Sequence, residues 1–338
     1  MRKIVERILC GAGWALTLCG LSGCQPAGEE TGLDKVVLQT DWFAQPEHGG
    51  FYQAQANGYY REAGIEVEIL PGGPNSMATQ KIIKGRAHFA MNRADTICNM
   101  VARGVDVRMV MATLQHDSQG ILLHDSSPVR QFEDLDRRRV MAIPGLAWIR
   151  WLEAKYDIHM EIIPHDFSLQ RFFNDESFIQ QCLVTNEPFY ARQAGANPRV
   201  LRLRDSGFDP YHGIYCRESF ARENPDLVRR FIAASIRGWK DYIMGDPSPA
   251  LDRIAGLNPK MNPEFMAYCY AALKSEQLVT GVDQEGNDIG RLDPERMMGL
   301  ERELVRLGLL ETEDGLVSPW YSTEYLPMPG DEPVNALP

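Results

Sequence analysis

The loop that follows the first predicted strand, residues 41–52, holds side chains with a clear capacity for ligand recognition. Trp42 offers a flat face for stacking a ring, and Asp41 offers an acceptor for an amino group. His48 and the backbone N–H of Gly49 stand at the start of a predicted helix, where the partial positive charge favours anions or carbonyls. The alternative is ordinary packing, in which the tryptophan fills the core and the histidine caps the helix.

Two further loops after predicted strands carry candidate residues. The turn 71–76 contains Gly73, and glycine allows a ligand to approach the backbone closely, although the turn itself could require glycine. Asn92 and Asp95 follow the third predicted strand. Both could bind a ligand, or Asp95 could be the N-cap of the next helix.

Candidate residues recur in the second half of the chain. Gly145 precedes a predicted helix and offers backbone N–H groups. Asn186 and Glu187 come directly after the predicted strand 179–184, and a carboxylate there is expected to contact a ligand. Glu187 also precedes a proline, which is typical of a helix start. Tyr211, with the histidine after it, is a weaker candidate.

The elements that position these loops alternate between strand and helix patterns. A long amphipathic helix is predicted over 225–244, and 245–309 is mostly helical. The strands are predicted over 36–40, 66–70, 88–91, 107–114, 140–143, 161–164, 179–184, 200–203 and 214–217. This alternation predicts an α/β protein with mostly parallel sheets flanked by helices. Ligands bind such sheets at the carboxyl ends of the strands.

The expected organisation is two lobes with a discontinuous first lobe. The first lobe is predicted over 35–118 plus 218–320, the second over 119–217, and a proline-rich tail over 321–338. Both lobes would present strand ends to one cleft, where the small-molecule ligand would bind.

The N-terminus has the layout of a secretory signal. Basic residues precede the apolar run 8–21, which is too short to span a bilayer comfortably, and Leu21-Ser22-Gly23-Cys24 follows at once. This order predicts a signal peptide over 1–23, a lipidated Cys24, a tether over 24–34 and a membrane-anchored protein on the periplasmic side of the cell envelope. A plain signal peptide with a chance cysteine is the alternative.

Composition excludes several other functions. The formal charge of −11 becomes −13 without residues 1–23, and so acidic a chain is a poor binder of nucleic acid. Nucleophile-elbow, zinc-protease and phosphate-loop motifs are absent from the sequence, and the seven histidines lack metal-ligand spacing, so we expect no cofactor, metal or catalytic residue. Four mature cysteines lie in apolar segments and are expected to be buried thiols, with disulfides as the alternative: Cys98, Cys182, Cys216 and Cys269.

Several of these motifs together resemble the superfamily of thiamine-pyrimidine synthase-like and nitrate/sulfonate/taurine-binding proteins. The resemblance covers about residues 36–310 and is carried by Thr40-Asp41-Trp42, His48-Gly49, Gly58-Tyr59-Tyr60, Gly72-Gly73, His88-Phe89-Ala90, Asn186-Glu187-Pro188 and the run from Glu218 to Tyr242. It implies a type II periplasmic-binding-protein fold, capture of the ligand by closure of the lobes, and the permease and ATPase of an ABC importer as partners.

The resemblance also implies a ligand class. The branch that it resembles most binds pyrimidine precursors of thiamine, with Trp42 stacking on the ring and Asp41 and Glu187 accepting from its amino groups. A sulfonate, nitrate, a flavin or another vitamin is the alternative. Some members are single-turnover synthases that make the pyrimidine from pyridoxal phosphate and one of their own histidines, a position that His48 matches here. Those synthases also carry a cysteine cluster before the long helix. Segment 207–219 holds only Cys216 here, so we expect a binding protein rather than an enzyme.

Overall fold

The computed structural model describes residues 32–310 and 319–328. The predicted signal peptide, the lipidation site at Cys24, most of the tether and the end of the tail lie outside the described residues. Within the described ranges, no helix is both long and apolar enough to cross a membrane.

The first sheet gathers strands from both halves of the chain. Its strands are β1 (Asp34–Gln39), β2 (Ile65–Leu70), β3 (Phe89–Arg93), β4 (Arg108–Leu114) and β10 (His212–Cys216). Their order is β2-β1-β3-β10-β4. Strand β1 is parallel to β2 and β3, whereas β10 is antiparallel to β3 and β4.

The second sheet has the same pattern. Its strands are β5 (Gln119–His124), β6 (Arg139–Ala142), β7 (Glu161–Pro164), β8 (Gln180–Leu183) and β9 (Pro198–Arg202), in the order β7-β6-β8-β5-β9. Strand β6 is parallel to β7 and β8, whereas β5 is antiparallel to β8 and β9. Both sheets are therefore mixed: four of the five strands in each run in one direction, as predicted, and β10 or β5 runs against them after crossing from the other sheet.

These pairings confirm the α/β class and correct one predicted lobe boundary. Ending the second lobe at residue 217 would assign β10 to it, yet β10 is hydrogen-bonded between β3 and β4 of the first sheet. The chain passes between the sheets at 115–118 and again at 203–211. The described part of the tail lies along the first sheet, where Tyr321 forms a bridge with Met109.

Twelve α-helices within the described residues flank the sheets. They are α1 (Gly49–Ala56), α2 (Tyr59–Glu62), α3 (Ala78–Ile83), α4 (Ala94–Ala102), α5 (Ala147–Tyr156), α6 (Gln170–Asn174), α7 (Glu187–Gln193), α8 (Glu218–Glu223), α9 (Pro225–Met244), α10 (Ser248–Leu257), α11 (Pro263–Ser275) and α12 (Pro294–Arg306). The predicted bounds of the long helix α9 are confirmed. The single helix predicted to start near His48 and Gly49 divides into α1 and α2, because Gly58 adopts a left-handed conformation with φ of 78°.

The start of α1 is fixed by close contact with α9. A Cβ on Gly49 would lie 2.2 Å from the Tyr242 ring, and one on Gly50 would lie 2.1 Å from Cδ2 of Trp239. Gly238 of α9 is equally confined by the carbonyl oxygen of Gly50. These glycines let the two helices approach closely, and their packing holds the loop before α1 against the first sheet.

The four cysteines of the described residues are buried and free of disulfide bonds: Cys98, Cys182, Cys216 and Cys269. Burial raises the pKa of the Cys216 thiol to about 12, so this thiol stays protonated at neutral pH.

Candidate ligand-binding site

A small polar cavity of about 160 Å³ lies where the ends of β1, β3 and β4 face the start of β5. Its walls are Asp41, Gln45, Glu47, His48, Met91, Asn92, Arg93, Leu114, Asp117, Ser118, Gln119, Leu183 and His212. We call it the inner cavity. Residues of both sheets line it, so it belongs to the cleft between them.

Asp41 is held between two histidines of the inner cavity. His48 Nε2 lies 2.8 Å from Asp41 Oδ1, and His212 Nε2 lies 3.1 Å from Asp41 Oδ2. Burial alone would raise the pKa of the Asp41 carboxyl, but the two histidines outweigh burial and hold that pKa well below 3.8. Asp41 is therefore ionised at neutral pH, and its side chain remains 39% exposed.

A buried ion-pair network forms the opposite wall. Arg93 Nη1 donates to both carboxylate oxygens of Asp117, at 3.0 and 2.9 Å, and its Nε donates to Asp95 at 3.1 Å. Burial raises the pKa of Asp117, although the positive charge of Arg93 opposes that rise. The two carboxylates neutralise the guanidinium. The lining of the inner cavity is acidic because it contains three carboxyl groups, of Asp41, Glu47 and Asp117, and one guanidinium group.

A larger cavity of about 500 Å³ lies further out in the cleft. We call it the outer cavity. It is lined by Trp42, Phe43, Gln45, His165, Phe167, Ser168, Leu169, Gln180, Asn186, Glu187, Tyr190, Asn258, Lys260, Met261 and Phe265. Gln45 borders both cavities, so the two adjoin. A volume of this size is typical of sites for drug-sized molecules.

An aromatic pair faces across the outer cavity. The ring of Trp42, from the loop after β1, stacks on the ring of Phe167, from the loop after β7. Their centroids lie 6.2 Å apart with an angle of 28° between the planes. Neither ring fills the core: Trp42 is partly exposed and Phe167 is 64% exposed. The alternative that Trp42 is ordinary core packing is therefore wrong.

Two acidic side chains meet near the junction of the cavities. Glu187 Oε2 accepts the N–H of Leu183 at 2.7 Å. Burial raises the pKa of Glu187 to about 7, and the nearby carboxylate of Glu47 adds to the rise. Glu47 is itself buried, where its carboxylate accepts from the hydroxyl of Thr185 at 2.6 Å and from the thiol of Cys269 at 3.0 Å.

Six of the predicted site residues line the cleft. Asp41, His48 and Asn92 line the inner cavity, and Trp42, Asn186 and Glu187 line the outer one. Gly49, Gly73, Asp95, Gly145 and Tyr211 line neither. The strand-end rule therefore located the cleft but did not separate ligand-facing residues from those that support them.

Local packing explains why Gly49, Gly73 and Asp95 lie away from the cavities. The N–H of Gly49 donates to the Pro46 carbonyl and is not free for a ligand. The N–H of Gly73 donates to the Asp41 carbonyl at 3.2 Å, so the turn supports the loop after β1. Asp95 does not cap α4, whose N-cap is Arg93, but pairs with that arginine.

Tyr211 and Gly145, the other two predicted site residues, also have local explanations that do not involve a ligand. Tyr211 is buried, with the Arg296 guanidinium 3.9 Å from its ring centroid and its hydroxyl accepting the N–H of Asp293 at 3.3 Å. Gly145 is exposed in a left-handed turn with φ of 83°. The turn explains the glycine without a ligand.

Sequence reasoning missed several residues of the site. Arg93 and Asp117 come together from β3 and from the crossover before β5, a strand that was not predicted. Phe167 lies on the connection after β7 and Phe265 lies in the first turn of α11, and no motif marks either residue. A bulky aromatic residue in a polar loop, His165-Asp166-Phe167-Ser168, was the available signal for the first of these.

Two mixed sheets flanked by helices and separated by a ligand-sized cleft define the fold class of periplasmic solute-binding proteins. The solved structure of the aliphatic sulphonate-binding protein SsuA from Escherichia coli matches with a TM-score of 0.62 and 11% identity, covering 85% of this chain and 98% of that one. The nitrate-binding protein NrtA from Synechocystis PCC 6803 matches with a TM-score of 0.58 and 12% identity, covering 87% of each chain.

Within this class, the chain belongs to the NMT1/THI5-like family, whose model matches residues 45–250. It is 25% identical over 267 residues to the 4-amino-5-hydroxymethyl-2-methylpyrimidine phosphate synthase THI11 of Saccharomyces cerevisiae, covering 72% of this chain and 78% of that one. It is 27% identical over 233 residues to the riboflavin-binding protein RibY of Chloroflexus aurantiacus, covering 65% of each.

Proposed function

We propose that this chain is the solute-binding component of an ABC-type importer and that it captures a planar heterocycle in the cleft. The observation that carries this proposal is the pair of adjoining cavities, with the Trp42 ring at the outer one and the ionised Asp41 at the inner one. An aromatic face suits a flat ring, and an acidic chamber suits a ring substituent that donates hydrogen bonds.

The first candidate ligand is a pyrimidine precursor of thiamine. Its ring would stack on Trp42, and its amino groups would donate to Glu187 and to the side-chain oxygen of Asn186. Both oxygens of Asp41 already accept from histidines, so Asp41 contributes negative charge and orients His48 and His212. The yeast relative is a synthase of an aminopyrimidine phosphate, and this similarity supports the candidate.

The second candidate is a flavin. The outer cavity, at about 500 Å³, has room for a fused ring system larger than one pyrimidine, and the inner cavity could take a polar chain. The riboflavin-binding relative supports this candidate. A sulfonate or nitrate is less well supported because Arg93, the cation of the inner cavity, is already paired with two carboxylates.

We propose a binding role rather than catalysis. The relatives that are named as synthases keep the enzyme as the alternative. The segment 207–219 contains a single cysteine, Cys216, whose burial and raised pKa make it inert. Intact-mass analysis after incubation with pyridoxal phosphate and ferrous iron tests the alternative, because a single-turnover enzyme loses mass from its own chain.

Native mass spectrometry of residues 25–338 with a panel of solutes tests the main proposal. The panel holds 4-amino-5-hydroxymethyl-2-methylpyrimidine, riboflavin, taurine and nitrate. We expect a mass shift with one of the two heterocycles. In Trp42→Ala, binding of that heterocycle is expected to be weaker by about 1–3 kcal/mol. A shift with taurine or nitrate alone would contradict the ligand class. No shift with any of them would leave the binding role unsupported.

The membrane anchor and the lobe boundaries are part of the same proposal. Cys24 would carry the lipid, placing the cleft on the periplasmic side. The lobes would meet at the two crossovers, which puts the ends of the second lobe near 119 and 206 rather than at 217. Labelling cells with a radioactive fatty acid tests the anchor, because Cys24→Ser would abolish incorporation.

A further inference from the structure

Phe167 is held over the cleft by an unusual loop conformation. Its φ is +59°, a left-handed value that bulky side chains rarely adopt. The N–H of Phe167 donates to His165 Nδ1 at 2.9 Å, and the ring of His165 packs against that of Phe167 at 4.9 Å. Strained backbone of this kind persists where the surrounding structure enforces it, often at ligand clamps.

The neighbouring residues reinforce the loop. The N–H of Ser168 donates to Asp166 Oδ1 at 3.0 Å, and the N–H of Gln170 donates to Ser168 Oγ at 3.1 Å. Burial lowers the pKa of His165 despite the nearby carboxylate of Asp166, which favours the neutral ring that can accept the Phe167 N–H. The loop therefore presents a large apolar ring to the cleft instead of burying it.

The distance between the two rings shows how a ligand would fit. Carbon atoms in contact are about 3.5–4.0 Å apart, so a flat ring between two parallel rings needs a centroid separation of about 7–8 Å. The Trp42 and Phe167 centroids are 6.2 Å apart with 28° between the ring planes, which is closer than that separation. The two loops would therefore have to move apart before one planar ring could enter between them.

We propose that Phe167 and Trp42 form an aromatic clamp that selects planar conjugated rings, with Phe167 as a specificity-determining residue on the second lobe. This inference rests on the proposed function and deepens it. The clamp stacks both faces of a flat ring, whereas a sulfonate or nitrate gains little from two aromatic faces. The acidic inner cavity adjoins the clamp and would take a donor-bearing substituent of the clamped ring.

Isothermal titration of four variants with two heterocycles tests the clamp. The probes are riboflavin and 4-amino-5-hydroxymethyl-2-methylpyrimidine, and the variants are Phe167→Ala, Phe167→Gly, Phe167→Tyr and Phe173→Ala. Phe167→Ala is expected to weaken binding about 5- to 150-fold, which is the value of one stacking face. Phe167→Tyr keeps the stacking face and is expected to bind within a factor of about three of wild type.

The two remaining variants separate stacking from folding. Phe173 is an exposed phenylalanine on α6 that lines neither cavity, so Phe173→Ala is expected to leave affinity unchanged. Phe167→Gly removes the ring while suiting the left-handed backbone, so it is expected to lose affinity as Phe167→Ala does without a fall in melting temperature.

The possible outcomes distinguish the clamp from the proposed function. Equal affinity of wild type and Phe167→Ala for a heterocycle would overturn the clamp and leave the proposed function intact. Equal losses in Phe167→Ala and Phe173→Ala would also overturn it. If neither heterocycle binds the wild-type protein, the proposed function and the clamp both fail.

Discussion

Glu187 illustrates how burial sets the chemistry of a single side chain in the cleft. The folded protein holds its proton up to about pH 7, whereas an exposed glutamate releases it near 4.5. The unfolded chain therefore binds fewer protons than the folded one between these values. By linkage, the free energy of unfolding falls as the pH rises from about 4.5 to 7, and it stays lower above that.

Substitution of Glu187 by glutamine tests this account. Glutamine cannot ionise, and its amide oxygen can still accept the Leu183 N–H. We expect Glu187→Gln to flatten the decline between pH 5 and 7 and to exceed wild type in free energy of unfolding at pH 8 by about 1–3 kcal/mol. Urea denaturation at pH 5, 6, 7 and 8 measures the free energy of unfolding of both proteins. Glu264→Gln, at an exposed position of α11, is the control and should follow wild type. If the free energy of unfolding of Glu187→Gln fell with pH in parallel with wild type, the raised pKa could not be assigned to Glu187.

At this scale, the sequence predicted residues next to strand ends better than residues brought together across the cleft. Asp41, Trp42 and Glu187 line the cavities because they directly follow β1 or β8, and a strand end fixes the position of the next few residues. Phe167 reaches Trp42 only through the arrangement of two separate loops. No local pattern encodes such a contact, so it was missed.

The contact between α1 and α9 determines where the recognition loop lies. We expect Gly50→Ala to lower the free energy of unfolding by about 1–3 kcal/mol, because the added methyl group would overlap the Trp239 indole. Gly256→Ala on α10 is the matched control, since a Cβ there meets nothing within 4 Å and α-helix propensity favours alanine. The free energy of unfolding of that control is expected to rise by about 0.5–1 kcal/mol.

Thermal and urea unfolding of both variants measure the difference. A Gly50→Ala protein as stable as Gly256→Ala would show that the two helices can move apart without loss. The comparison separates the packing of α1 against α9 from the general effect of replacing glycine in a helix.

Elements with strong periodicity were predicted well, and those defined by tertiary pairing were not. The bounds of α9 were found because its apolar stripe runs through five turns between a proline and a glycine. Strand β5 was missed because Gln119–His124 has only three consecutive aliphatic residues and no alternation, yet every residue of it is buried. Its burial arises from β8 and β9 on either side.

At the scale of the whole molecule, a buried hydrogen bond joins the two lobes. The hydroxyl of Thr185, after β8, donates to Glu47, before α1. Thr185→Val preserves the shape but removes this donor from a buried carboxylate, so we expect a loss of about 1–3 kcal/mol in the free energy of unfolding. Thr185→Ser keeps the hydroxyl and is expected to lose less. Urea denaturation at pH 7 compares the two, and equal losses would mean that the methyl group matters rather than the hydroxyl.

The two-lobed architecture followed from the alternation of strands and helices and from the resemblance to solute-binding proteins. The mixed character of the sheets did not follow, because strand direction depends on which sheet the chain re-enters after each crossover. The position of β10 shows this, since local sequence cannot distinguish a strand that closes the second lobe from one that returns to the first.

The insertion of β10 between β3 and β4 has a consequence for the order in which the chain folds. A nascent polypeptide that leaves the ribosome N-terminus first has made β4 long before His212–Cys216, so β4 must wait for its partner strand. Helix α1 must likewise wait for α9. The whole second lobe can therefore assemble while the first remains incomplete, and such distant pairing slows folding. The lobe that contains the first strands of the chain is therefore the last to complete its fold.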